Sequence, residues 1–428
     1  MNRVPDVPLT TTLPATADVV IVGGGIWGLS TAWHLSRLRP QWSVCVIERG
    51  QQLAGETTLQ AAGQIGQLRS HPVMTRGVAY TLQTLSRFRE LVGHDPGLET
   101  PGSVHLALCP ERLAAFERHG ASNSLPPGTI RLVSPEEIEQ FTPIVDPQQI
   151  CGALHVAGDG YVGARQTALA YAAAATDGGV QIAAGVECVG LVADSSGRLE
   201  RVITTGGEIQ SRRVVLTAGP WTARLAESLG VRLPVQGIRL QQARTAPLPE
   251  ARREHPVVRI PDASCYLRPE AGGFLFGFFD PEPLPLDPRG LPAGWRTAEL
   301  ARAVELVDES RRRLRGAIPC LGDVAIDEYR QGIVTCAPDG WYVLGPIESH
   351  PGLWVATGCA AMGIAGSAAV GNWLSRWIAD GSPGESLELM SPARLPELVA
   401  RPADLQAACC RTYANYYSLG GGVTYSVG

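Results

Sequence analysis

The chain has 428 residues, enough for two or three domains with substantial cores. Hydrophobic residues make up 45% and charged residues 18%, a balance that excludes a disordered or fibrous chain. Net charge is −5, and the one dense basic run, Arg311-Arg312-Arg313 with Arg315, follows Glu305, Asp308 and Glu309 as the solvated face of a helix would, so no nucleic-acid partner is expected.

Residues 1–17 carry three prolines and no apolar signal core, and read as a flexible arm. Val19-Val20-Ile21-Val22 follows as a buried parallel strand and runs into Gly23-Gly24-Gly25-Ile26-Trp27-Gly28. Gly23, Gly25 and Gly28 carry the G-x-G-x-x-G spacing, a helix is expected over 29–38, and a second strand over 43–47 ends at Glu48, twenty residues past Gly28. This is a dinucleotide-binding βαβ unit: the glycines allow a tight turn, close approach of a pyrophosphate and close helix–strand packing, and the helix N-terminus offers unpaired N–H groups. Glu48 is placed to accept hydrogen bonds from ribose hydroxyls, which favours FAD or NAD over a 2′-phosphorylated cofactor.

Beyond it come a small-residue loop at 60–66, a helix over 73–92, a strand over 102–108 and a helix over 110–119. Ser134-Pro135-Glu136-Glu137 reads as an N-cap with proline at the first helical position. An alanine-rich helix is expected over 164–175, then short strands over 180–183, 188–193, 199–204 and 208–210, and a buried strand from 214 ending in Ala218-Gly219-Pro220-Trp221. The 235–329 region, rich in Pro, Arg and aromatics, has strands over 266–268 and 273–279 and an amphipathic helix over 297–314. Residues 352–374 are uncharged, but glycines divide them into a strand over 353–356 and a helix over 366–378, so no membrane span is expected. Ten scattered cysteines with no C-x-x-C pair suit a reducing, cytoplasmic setting and no metal site.

Nucleotide-type α/β segments thus stand at the start, middle and end of the chain. That spacing fits three contacts along one extended FAD better than a contiguous NAD fold. The expected fold class is α/β: a Rossmann-type FAD-binding domain in three segments (18–95, 150–234 and 330–390) with an inserted β-rich, α+β substrate domain (96–149 and 235–329) and a C-terminal tail over 391–428.

Further passages resemble the FAD-dependent amine oxidoreductases that include D-amino-acid oxidase, glycine oxidase and sarcosine oxidase, and within them the flavin half of dimethylglycine and sarcosine dehydrogenases. Gly55-Glu56-Thr57-Thr58-Leu59-Gln60-Ala61-Ala62-Gly63 is similar to the flavin-contacting G-x-T/S-T-W-H-A-A-G loop. Pro101-Gly102-Ser103-Val104, Gly158-Asp159-Gly160, Ala218-Gly219-Pro220-Trp221, Tyr266-Leu267-Arg268, Ala337-Pro338-Asp339-Gly340, Gly358-Cys359-Ala360-Ala361-Met362-Gly363-Ile364 and Tyr413-Ala414-Asn415-Tyr416-Tyr417 match further family segments in order. The resemblance implies oxidation of the C–N bond of an amino acid or N-alkyl amine by hydride transfer to FAD, with O2 or an electron-transfer protein as acceptor. The chain departs from the family at Gln60, which stands where the dehydrogenases link FAD through histidine, and at Gly332, where the sarcosine-oxidase type uses cysteine. Bound FAD is therefore expected to be non-covalent. Ala365 replaces a lysine, and Ala360-Ala361 an Asn-Ser pair, so the usual N-methylglycine substrates do not follow from the likeness.

The motif and the resemblance together give an expected cofactor set: Gly23, Gly25, Ile26, Trp27, Gly28, Glu48 and Arg49 at the opening unit; Thr57, Thr58, Gln60, Ala61, Ala62 and Gly63 in the loop; Val186, Ala218, Gly219 and Trp221 in the middle; and Gly358, Met362, Gly363 and Ile364 at the closing turn. For the substrate, Arg69 is the first candidate carboxylate clamp, its planar fork suiting bidentate binding, or else an inter-segment salt bridge. Arg268 and Tyr266 are placed on the substrate-domain floor, with Arg330, His71 and His105 as lesser candidates. The other readings are an FAD enzyme for 2-hydroxy acids, an NAD(P)H-dependent hydroxylase, and a non-catalytic flavoprotein module.

Overall fold

A computed structural model describes residues 5–418 except Asn123 and Ala293, and not the side chain of Ser122. Its first layer is a six-stranded sheet in the order Val343–Pro346, Leu353–Thr357, Val214–Leu216, Val19–Val22, Val44–Glu48, Gln181–Ala184. All neighbours are parallel except the edge pair Val343–Pro346 with Leu353–Thr357. A central parallel strand must be buried on both faces, and alternation in Val19–Val22 shows how. Val19 and Ile21 pack into the cluster formed with the helices Ile26–Leu38, Ala164–Asp177 and Ser367–Asp380, while Val20 and Val22 join Leu191, Val202 and Ile209 of a three-stranded antiparallel sheet on the opposite face.

The second layer is a nine-stranded sheet. Strands Gln236–Thr245, Gly273–Phe278, Cys265–Glu270, Val257–Ile260, Ser103–Ala107, Gly152–Val156 and Ile130–Val133 run in that order, with Pro285–Leu286 and Ile326–Cys336 both pairing Gln236–Thr245. Phe274, Phe276 and Phe278 point into its own core beneath the helix Val304–Leu314. Two strands that the sequence boundaries assign to the nucleotide segments, Gly152–Val156 and most of Ile326–Cys336, hydrogen-bond instead within this sheet.

Three expectations are corrected. The arm is tied down over its described part: Thr10 N–H donates to Ile182 O (2.8 Å), Ala17 N–H to Gln210 O (3.0 Å), and Val7 and Leu13 pack on the core. The expected helix over 73–92 breaks at Arg87 into Pro72–Ser86 and Phe88–Val92. The amphipathic helix begins at Val304, since 297–299 form a separate 3₁₀ turn. The uncharged 352–374 stretch is the strand Leu353–Thr357 and the start of Ser367–Asp380, and among the described residues no helix is long and apolar enough to cross a membrane.

The first helix contains a buried titrating group. His34 Nδ1 donates to Ser30 O at 2.8 Å, leaving Nε2 to accept from the Tyr80 hydroxyl at 3.3 Å. Burial pushes its pKa from 6.5 down to about 4, opposed by the Ser30 bond and aided by the charge of Arg37. A lowered pKa means that the stabilisation is present above pH 6.5 and is lost as pH falls through about 4. The protein is expected to lose on the order of 3 kcal/mol over that window from this residue, and His34→Gln to flatten that part of a urea-melt stability profile.

Candidate active site

One cavity of about 490 Å³ runs from the glycine turn of the first sheet to the open face of the second. At the first end, Gly23 N–H donates to Ile47 O (2.8 Å), and the helix starts at Ile26, whose N–H is received by Thr58 Oγ1 at 3.2 Å. The motif glycines serve different purposes. A Cβ on Gly28 would lie 2.1 Å from Gly23 O, and one on Gly23 2.6 Å from Thr217 O. A Cβ on Gly25 would meet only Thr58 Oγ1, at 3.6 Å, and otherwise project into the cavity. Gly25 thus leaves room that the protein itself does not need, which is what a closely approaching pyrophosphate requires. Glu48 lines the same end; its Oε2 accepts Gly24 N–H at 2.8 Å and its Oε1 accepts Gly50 N–H at 2.7 Å, which fixes the carboxylate while each oxygen retains acceptor capacity. Burial raises its pKa, opposed by those two bonds. Val186, Ala218, Gly219 and Trp221 complete this end, with the Arg49 guanidinium 3.7 Å over the Trp221 ring and 3.4 Å from Glu56.

The 55–63 loop forms the middle wall, lined by Thr57, Thr58, Gln60, Ala61, Ala62 and Gly63. Thr57 Oγ1 donates to Ile333 O (2.9 Å) and Gln242 Nε2 to Gln60 O (2.8 Å), anchoring the loop to both long strands of the second sheet. Gly332 packs against Gln60, where an added Cβ would fall 2.9 Å from Gln60 Cβ. Opposite, the closing turn presents Cys359, Ala361, Gly363 and Ile364. It is held by Thr335 Oγ1, which accepts from Gly358 N–H (3.0 Å) and Cys359 N–H (3.2 Å), by Tyr342, whose hydroxyl donates to Met362 O (3.0 Å), and by Trp27, whose Nε1 donates to Gly363 O (2.7 Å). Ala360 and Ala361 adopt φ of 44° and 59° there, the left-handed region that costs an L-residue energy. Ala361→Gly is expected to stabilise the protein by about 0.5–1 kcal/mol, net of the freer unfolded chain, read from urea melts.

The far end is cationic and aromatic. Arg69 is 6% exposed, lines the cavity, and leaves Nε and Nη1 without a protein partner. Arg259, on Val257–Ile260, lines the same end beside buried Asp159, whose carboxylate accepts Ser103 Oγ–H (2.6 Å) and Gln67 N–H (2.8 Å). Burial raises the Asp159 pKa, opposed first by the Ser103 bond and also by Arg259. Tyr266, Phe279, Tyr416 and Tyr417 supply the aromatic wall.

Several expected residues lie off the cavity. Arg268 is buried under the loop, donating to Ala62 O and to Pro269 O (2.8 Å), with Glu270 at 3.1 Å and its guanidinium 5.0 Å over Tyr161. Its charge is already used, so it supports the loop and is not a substrate clamp. Gly28, Gly358 and Met362 also sit behind the lining. Gly28 is filled by Gly23, Gly358 (φ 67°) shapes the turn, and Met362 offers Tyr342 its carbonyl. Arg330 pairs with Glu328 (2.7 Å) and Glu270 (2.8 Å). His71 caps the helix Pro72–Ser86 by accepting Val73 N–H, and His105 is held far below its ordinary pKa, chiefly by burial and then by Arg259. Arg259, Phe279 and Gln242 were missed: Arg259 and Gln242 stand in strands whose sequence gives no sign of facing a site, and Phe279 lies just past the end of one.

The sequence pattern of the family described as FAD dependent oxidoreductase matches residues 18–377. This chain belongs to that family. FAD is accordingly the cofactor for which the cavity is built, as the space at Gly25 also indicates. The FAD dependent oxidoreductase fold is shared with glycine oxidase from Geobacillus kaustophilus, a solved structure superposing with a TM-score of 0.75 at 25% identity over 89% of this chain and 99% of that one. Dimethylglycine dehydrogenase of Rattus norvegicus is 29% identical over 388 residues, 88% of this chain and 45% of the relative. The formaldehyde-forming 4-methylaminobutanoate oxidase of Paenarthrobacter nicotinovorans is 29% identical over 374 residues, 87% and 45% respectively. The chain spans about half the length of these curated relatives. Among the described residues no group of three or more His, Cys, Asp or Glu side chains could hold a metal ion.

Proposed function

We propose that the chain oxidises the C–N bond of an amino acid or N-alkyl amine, the substrate leaving as an imine that water hydrolyses. The observation that carries this reading is Arg69, a buried guanidinium that lines the cavity opening at Gly25 and whose Nε and Nη1 have no partner in the protein. A buried cation is costly unless paired, and a bidentate carboxylate supplies the missing acceptors. FAD, when bound, supplies the two-electron acceptor for the hydride.

The protein's part is positional. Arg69, with Arg259 beside it, holds the carboxylate. Tyr266 and the neighbouring rings exclude water and favour the neutral amine that the reaction needs, since a buried ammonium with no facing carboxylate is destabilised. Residues Gly23, Gly25, Glu48, Thr57 and Thr58 hold the cofactor's length, and Gln60 and Gly332 offer no group for a covalent link to it. Ten free cysteines support work in a reducing compartment such as the cytoplasm.

The test is direct. The purified protein should be yellow, with colour that acid releases, and its visible flavin absorbance should bleach anaerobically on mixing with an amino acid or N-alkyl amino acid. Flavin that no amine or amino acid bleaches would refute the reading; reduction by NADPH alone would instead indicate a hydroxylase. Comparing turnover in air with turnover on an artificial dye separates O2 from an electron-transfer protein as acceptor.

A further inference from the structure

The far wall of the cavity comes from an unexpected part of the chain. The segment leading into the helix Pro402–Ala414 is fastened to the body by Arg394, which binds Asp339 through two bonds (Nε to Oδ2 2.7 Å, Nη2 to Oδ1 3.0 Å), and the helix itself by Thr412 Oγ1, which donates to Pro338 O. Past its end the backbone turns, Tyr416 N–H donating to Tyr413 O at 3.2 Å, and delivers Tyr416 and Tyr417 into the site. Tyr416 stacks on Phe279 with centroids 4.1 Å apart and planes 7° from parallel, and Tyr417 stands edge-on to both rings at 5.0 and 5.4 Å. Phe279 is itself fixed, its N–H donating to Ser264 O at 2.9 Å just past Gly273–Phe278. These rings are 3–5% exposed, and they line the same chamber as Arg69. The charges of Arg259 and Arg69 both act on the Tyr417 hydroxyl, which puts it at the cationic end.

We infer that Tyr416, braced by Phe279 and flanked by Tyr417, is a specificity-determining residue that limits the size of the group a ligand can carry beyond the carboxylate held at Arg69. The physical basis is rigidity. A ring stacked at 4.1 Å on a second buried ring cannot swing aside without losing that contact and the packing behind it. A ligand group wider than the space left over must therefore displace the stack, whereas a small or flat apolar group slides along the ring faces. The inference rests on the amine-oxidation reading for the nature of the natural substrate, but the wall itself is a property of the carboxylate-binding chamber.

The experiment uses the FAD-loaded protein and three probes of increasing width, acetate, pyrrole-2-carboxylate and indole-2-carboxylate, with Kd read from the perturbed flavin spectrum. Tyr416→Ala should tighten the indole acid relative to the pyrrole acid by about tenfold or more, while Tyr416→Phe, which keeps the stack, should retain the wild-type ratio. If Tyr416→Ala does not retain FAD, Tyr416→Leu serves in the same comparison. An unchanged ratio in the truncated variant, or failure of all three acids to perturb the wild-type flavin, overturns the inference. Because the readout is binding, it separates from the reaction. A protein that amines bleach but whose ratio stays fixed keeps the chemistry and loses the wall, and one whose ratio shifts but which no amine bleaches keeps the wall and loses the chemistry.

Discussion

Replacing Arg69 with alanine is expected to lower kcat/KM for carboxylate-bearing amines by about 10³-fold, equivalent to about 4 kcal/mol of transition-state stabilisation. The size follows from a charge-assisted, bidentate contact made in a chamber from which water is excluded, where each such bond is worth about twice a neutral one. The same substitution should not destabilise the protein without ligand. Two of the three guanidinium nitrogens have no partner, so truncation removes few native hydrogen bonds and relieves the desolvation of a charge. Loss of activity with undiminished melting temperature and full FAD content is thus the expected signature. Arg69→Lys should recover only part of the loss, because a point charge cannot reproduce the planar fork. Amines without a carboxylate should be nearly indifferent to either change. If they lose as much as amino acids do, Arg69 is structural and the carboxylate is held elsewhere.

What the sequence made legible follows from how local each signal is. The opening strand, glycine turn and Glu48 lie within thirty residues, and every part of that unit is encoded by neighbours: an apolar run, small residues at fixed offsets, a single acid. The far end of the cavity has no such local code. Gln236–Thr245 reads as a polar stretch rich in Gln and Arg, yet it is the strand on which the second sheet is organised. Its charges are satisfied only across the sheet, Arg244 with Asp327 at 2.6 Å and Arg239 with Asp280 at 3.8 Å. Alternation therefore failed to reveal it. Arg268, in Tyr266-Leu267-Arg268, and Arg69, just after the small-residue loop, both read as substrate candidates, and only the fold distinguishes them, by giving Arg268 the Ala62 carbonyl and Glu270 and leaving Arg69 no partner on two nitrogens. Tyr416 and Tyr417 were visible as part of a tail motif, but nothing within the motif indicates that the tail returns to the site. Phe279 would have been the strongest clue, as an aromatic at the end of an aromatic strand with no partner nearby in sequence.

The glycine turn offers the sharpest separation of folding from cofactor binding, because two glycines three residues apart face opposite demands. Gly28→Ala puts a methyl group 2.1 Å from the Gly23 carbonyl oxygen and 2.6 Å from Thr217 Oγ1, so the first helix must move off the central strand. Such overpacking in a rigid core typically costs about 1–3 kcal/mol or more, and a lower melting temperature is expected with or without FAD. Gly25→Ala adds the same atom where the nearest protein atom is 3.6 Å away and the backbone, at φ −81°, suits any L-residue. The apoprotein should therefore melt within about a degree or two of wild type, well inside the effect of ordinary surface changes. The methyl group instead occupies the space where the pyrophosphate meets the helix N-terminus, and FAD affinity is expected to fall by at least ~100-fold, about 2.7 kcal/mol. By linkage, the melting-temperature gain that added FAD gives the wild type should largely vanish in Gly25→Ala. Equal retention of flavin by Gly25→Ala and the wild type would mean that the cofactor does not approach this turn, and the orientation of the whole cavity, with Arg69 at its reacting end, would have to be reversed.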